Sequence, residues 1–73
     1  MPAFEFYIAN DRTSALGYLV VLAKDVTRAR EIAEAILRES PAHTGVEVRQ
    51  ASRWLFAIGT LAKASPPPRP DHA

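Results

Sequence analysis

Hydrophobic and polar positions along this chain change period four times, and the changes mark out five elements. Phe4, Phe6 and Ile8 alternate with Glu5, Tyr7 and Ala9, the period of a strand with one buried face. Asn10, Asp11, Arg12, Thr13 and Ser14 follow as a turn-prone link. Residues 15–23, ALGYLVVLA, are then apolar on both alternations. The β-branched and aromatic stretch from Tyr18 to Leu22 favours a second strand, and the short link predicts an antiparallel hairpin. A strand that is apolar on both sides needs cover on both sides.

Asp25 stands where a helix N-cap belongs, its carboxylate placed to accept a bond from a free first-turn N–H. Val26, Ala29, Ile32, Ala33, Ile36 and Leu37 recur at helical spacing, with Arg28, Glu31, Glu34, Arg38 and Glu39 on the other side. Glu34 and Arg38 are spaced for a favourable pair. Ser40 and Pro41 end the helix, because proline brings no backbone donor and disfavours a helical residue before it. Residues 42–45 read as a loop.

Val46 and Val48 alternate with Glu47 and Arg49 as a third strand, and Trp54, Phe56 and Ile58 alternate with Leu55 and Ala57 as a fourth. Ala51, Ser52 and Arg53 read as the connection. No Asn-Gly or Asp-Gly marks a turn there, so one long bent strand over residues 46–58 is the competing reading to a hairpin. The hairpin yields a small two-layer ββαββ domain of the α+β class, a mainly antiparallel or mixed sheet with one helix packed on one face. The domain spans residues 1–63. Residues 64–73, rich in proline, read as an extended disordered tail with no core-forming side chains. Removing residues 65–73 is expected to leave stability unchanged.

Phe4, Phe6, Ile8, Val46, Val48, Trp54, Phe56 and Ile58 are expected to face the helix, which turns Tyr7, Ala9, Leu55, Ala57 and half of the apolar run away from it. The expected interface is therefore Tyr7, Leu19, Val21, Leu55 and Ala57, an apolar patch rimmed by Glu5, Glu47 and Arg49. An apolar centre with a charged rim is the anatomy of a protein interface. A second copy of the chain or another protein is the expected occupant, and cover by Leu61 and its neighbours is the alternative.

Composition strengthens this expectation. A domain drawn from a 73-residue chain lies near the lower size limit for an unassisted core. With no cysteine, neither a disulfide nor a thiolate metal site is available as a staple, which leaves self-association. The lack of cysteine, and of a basic segment leading into an apolar one at the N-terminus, fits a cytoplasmic protein. The apolar run is about half the ~20 residues of a membrane-spanning helix, so no membrane span is expected.

Candidates for chemistry are sparse. His43 and His72 are the only imidazoles, the serines at 14, 40, 52 and 65 have no base at a telling spacing, and Gly17, Gly45 and Gly59 are isolated. Neither catalysis, cofactor nor metal is expected. The alternative function is single-stranded nucleic-acid binding, in which Arg49 and Arg53 would hold backbone while Tyr7 and Tyr18 stack on bases. A net charge of +1, from 9 basic and 8 acidic residues, argues against it, since phosphate binding is driven by positive charge.

Overall fold

The computed structural model describes residues 1–60. The tail, His72 and the cover expected from Leu61 onward lie outside the described residues. The elements are β1 (Ala3–Asn10), β2 (Thr13–Leu22), α1 (Val26–Glu39), β3 (His43–Gln50) and β4 (Arg53–Gly59). They form one antiparallel four-stranded sheet in the order β2-β1-β3-β4 with a single helix, a small α+β two-layer domain. Each hairpin pairs neighbours in sequence. The helix carries the chain from the edge strand β2 across to β3, on the far side of β1.

Asp25 caps α1 as its chemistry requires: Oδ1 accepts from the Arg28 N–H at 2.8 Å. At the other end Ser40 is extended, its Oγ accepts from the Ala42 N–H at 3.1 Å, and its carbonyl accepts from the His43 N–H at 3.0 Å. Phe4, Phe6, Val46 and Val48 fill the core from the sheet, met by Ala29 and Ala33 of the helix. Large side chains below and alanines above let the two layers approach closely. Ile8, Val21, Ile32, Ile36, Leu37, Phe56 and Ile58 close the margins. Arg30, placed over the ring of Phe56 at 5.3 Å, pairs with Glu34 at 3.6 Å. Glu34 thus pairs with Arg30, one turn earlier in the helix, in place of the pair expected with Arg38.

Residues 46–58 fold as the hairpin, and its turn is unusual in composition. Ala51 and Ser52 lie between the paired Gln50 and Arg53 with φ of 52° and 68°. Positive φ at both central residues is the signature of the turn whose twist matches a hairpin, normally written with Asn and Gly because other L-residues are strained there. Glu5 on β1 braces it, its Oε1 accepting from the Ser52 N–H at 3.2 Å.

Gly59 closes β4 with φ of 71°, and a Cβ at this position would stand 2.5 Å from the Thr44 carbonyl oxygen. That oxygen is backbone, already bonded by the Thr60 N–H, and has no room to retreat. Gly59→Ala is expected to cost more than about 2 kcal/mol, the strain of a positive φ added to the overlap. Urea denaturation of the variant checks this.

Candidate functional site

The register of the hairpins decides which side chains share a face. In β2, Leu19 and Val21 stand opposite Phe6 and Phe4, whereas Tyr18, Val20 and Leu22 stand opposite Tyr7, Glu5 and Ala3. Leu19 and Val21 therefore belong to the helix side, and the outward half of the apolar run is Tyr18, Val20 and Leu22. The helix is set away from β2. It lies closest to β3 and then β4, so even Leu19 is 45% exposed.

On β4 the faces differ from simple alternation for a local reason. The register steps irregularly between Val48, opposite Phe56, and Arg49, opposite Trp54, which makes Leu55 an extra residue in the ladder. Leu55 packs against the core cluster. Trp54, expected in the core, is instead half exposed. Ala57 stays on the open side opposite Glu47.

The middle of the open face is polar, contrary to the expected apolar centre. Glu47, opposite Tyr7 on one side and Ala57 on the other, is buried. Its Oε2 accepts from Arg49 Nε at 2.6 Å. The Arg49 guanidinium lies 5.4 Å from the centre of the Tyr7 ring, and Tyr7 in turn contacts Tyr18 with ring centroids 5.1 Å apart. Glu47, Arg49, Tyr7 and Tyr18 thus form one strip across the sheet, held by a charge-assisted bond and aromatic contacts. Arg49 has its charge committed to Glu47. Arg53 is exposed at the start of β4.

Four of the seven large hydrophobic side chains that are exposed among the described residues gather on one strand, the others being Met1, Val26 and Trp54. Tyr18, Leu19, Val20 and Leu22 are 57%, 45%, 52% and 63% exposed, and β2 is an edge strand with no neighbour on its outer side among the described residues. The other edge, β4, is shorter, carries the irregular step between Phe56 and Trp54 and ends at Gly59 in the positive-φ region. Irregularity and brevity are how an edge is kept from pairing. β2 has neither device from Gly17 to Leu22.

The chain matches no protein-family model, no curated protein and no solved structure.

His43 opens β3, and its Nδ1 lies 2.7 Å from the Ile36 carbonyl. A carbonyl only accepts, so Nδ1 carries the proton and the ring serves as a clasp on the last turn of α1. Its neighbours in a shallow groove of about 370 Å³ are Ile8, Asn10, Thr13, Ala15, Leu16 and Gly17. None of these supplies a second acid, base or nucleophile beyond the Thr13 hydroxyl, which accepts from the Ala15 N–H at 3.2 Å. No group of three metal-ligating side chains occurs among the described residues. Among the described residues, no helix is long and apolar enough to cross a membrane.

The signal that sequence reading missed was positional. Residues 15–23 were legible as a strand needing cover, but only the sheet order shows that this strand is the edge. An interior strand with the same residues would have its backbone groups paired along both edges.

Proposed function

We propose that this domain is a self-associating module whose contact surface is β2. The observation that carries the reading is the exposure of Tyr18, Leu19, Val20 and Leu22 on an unpaired edge strand. Apolar side chains and free backbone groups presented together form a template for another chain. The expected patch on Tyr7, Leu55 and Ala57 contributes less, because Tyr7 is engaged with Arg49 and Tyr18 and Leu55 with the core.

Light scattering over a concentration series tests the reading. Self-association predicts a mass approaching twice that of the chain as concentration rises, and Val20→Lys shifts the dissociation constant upward by at least about tenfold, equivalent to ~1.4 kcal/mol. Lysine is chosen because Glu5 stands opposite position 20, so the free subunit gains a cross-strand charge pair while the contact loses an apolar side chain. A single-chain mass throughout the series contradicts the proposal.

The second reading, binding of single-stranded nucleic acid, draws support from the exposure of Trp54 beside Arg53. Trp54 is the only tryptophan, so its emission reports directly on a base stacked upon it. With Arg49 neutralised by Glu47 and little net charge, no quenching is expected with single-stranded RNA below about 1 μM at physiological salt, the tight end of non-specific affinity. Quenching at nanomolar RNA that weakens steeply with salt reverses the order of the two readings.

A further inference from the structure

We propose that two copies join edge to edge along β2, antiparallel about a two-fold axis at Val20, so that two four-stranded sheets become one continuous sheet. This rests on the reading of the chain as a self-associating module and specifies how the copies meet.

The direction of the backbone groups on β2 follows from one hydrogen bond. The Ala23 N–H donates to the Pro2 carbonyl at 3.1 Å, and the register that sets Ala3 against Leu22 makes these two residues directly opposed. A bond between directly opposed residues marks a hydrogen-bonded antiparallel pair, and such pairs alternate along a ladder with non-bonded ones. Ala23, Val21, Leu19 and Gly17 therefore turn their N–H and C=O groups toward β1. Leu22, Val20 and Tyr18 turn theirs to the free edge, where nothing among the described residues accepts them.

The regular stretch also sets the axis. Pairing with β1 runs without a shift from Leu22 to Gly17 and becomes irregular beyond it, so with Ala23 the straight part of the edge is residues 17–23. Its centre is Val20. A two-fold axis there lays the stretch on its own copy: Val20 on Val20, Tyr18 on Leu22, Leu19 on Val21 and Gly17 on Ala23. Every pair is apolar or glycine, on both faces of the sheet, which is the self-complementarity that a two-fold interface demands. Each bonded pair exchanges two hydrogen bonds, giving about six across the seam. The run 15–23, apolar on both alternations, thereby meets apolar side chains across the seam on both faces.

Other occupants fit less well. Residues 61–73 of the same chain offer Leu61 as their one large apolar side chain, and Pro66, Pro67, Pro68 and Pro70 bring no N–H to a ladder. A face-to-face dimer would have to bury the polar strip of Glu47 and Arg49. A contact confined to one edge is small by the standard of stable complexes, so a dissociation constant in the micromolar range is expected.

The native chain has no cysteine, so single-cysteine variants report self-contact without background. Directly opposed residues of a bonded antiparallel pair lie about 5.5 Å apart at Cα, within disulfide range. Val20→Cys is expected to cross-link to its own copy under mild oxidation. Tyr7→Cys and Ala57→Cys, on the open face of β1 and β4, are expected not to, since three strand spacings put even the two Tyr7 positions about 14 Å apart sideways and a four-residue offset along the strands carries them to about 20 Å. Val20→Pro removes one outward N–H and spares the ladder to β1, and it is expected to give a folded single chain by circular dichroism and light scattering. A dimer that cross-links through Tyr7→Cys or Ala57→Cys, or that persists in Val20→Pro, overturns the edge-to-edge arrangement while leaving self-association intact. A wild-type chain that never exceeds the mass of one copy overturns both.

Discussion

Phe6→Ala is expected to unfold most of the chain at room temperature in dilute solution. Phe6 has no exposed surface. It sits on β1, the strand flanked by β2 and β3, opposite Leu19 on one side and Val48 on the other. Removing a buried phenylalanine ring costs roughly 3–5 kcal/mol, because the surrounding side chains close only part of the cavity. A domain of this size has about 3–5 kcal/mol in all, so the single change consumes most of the margin. Circular dichroism against urea measures it, with Leu19→Ala as the comparison. Leu19 faces the same layer but is 45% exposed, and its truncation is expected to cost about 1 kcal/mol, at the low end for a half-buried side chain.

Arg49→Ala is expected to cost about 2–3 kcal/mol, below the 3–5 typical of breaking a fully buried pair because Arg49 keeps some access to water. The loss falls mainly on Glu47. Its side chain is 6% exposed and its partner 22%, so removing the guanidinium strands a carboxylate in a site with little water to hydrate it. Tyr7 loses its cation contact as well. Glu47→Gln in the Arg49→Ala background is expected to restore much of the stability, since a neutral amide is far cheaper to bury than an unpaired carboxylate. Urea midpoints of the two single variants and the double variant give the coupling directly. Additive losses in the two variants would show that the charge of Glu47 is not what Arg49 compensates.

The elements were legible in the chain because each carries a local signal. Asp25 caps where a short carboxylate can reach a first-turn N–H, Pro41 stops the helix, and the alternation around Phe4 and Phe6 fits only a strand with one buried face. The faces of β4 were not legible, since they turn on a single extra residue in the ladder at Leu55, and the local residues do not mark it. The turn was legible in place, since Ala51, Ser52 and Arg53 read as the connection, but its conformation was not. Its positive φ angles are imposed by the pairing of β3 with β4 and braced by Glu5, forty-seven positions away in sequence.

The candidate surface was legible in part for the same reason. Residues 15–23 declared a need for cover on two faces, but which of them point outward depends on register, and whether cover arrives depends on sheet order. Glu47 shows the limit most clearly. Between Val46 and Val48 it reads as a solvated rim residue, yet its place on an interior strand, with Tyr7 and Ala57 as register partners, buries it. Its burial makes the centre of the open face polar and shifts the apolar surface to the edge.

Amide hydrogen exchange at Val20, followed by NMR as a function of protein concentration, tests the central claim most directly. The Val20 N–H points out of the sheet and has no acceptor within the described chain. Pairing along β2 predicts that it exchanges slowly at high concentration and at the open rate on dilution, in step with Tyr18 and Leu22, while Leu19 and Val21 stay protected throughout by their bonds to β1. Fast exchange at Tyr18, Val20 and Leu22 at every concentration would contradict the account.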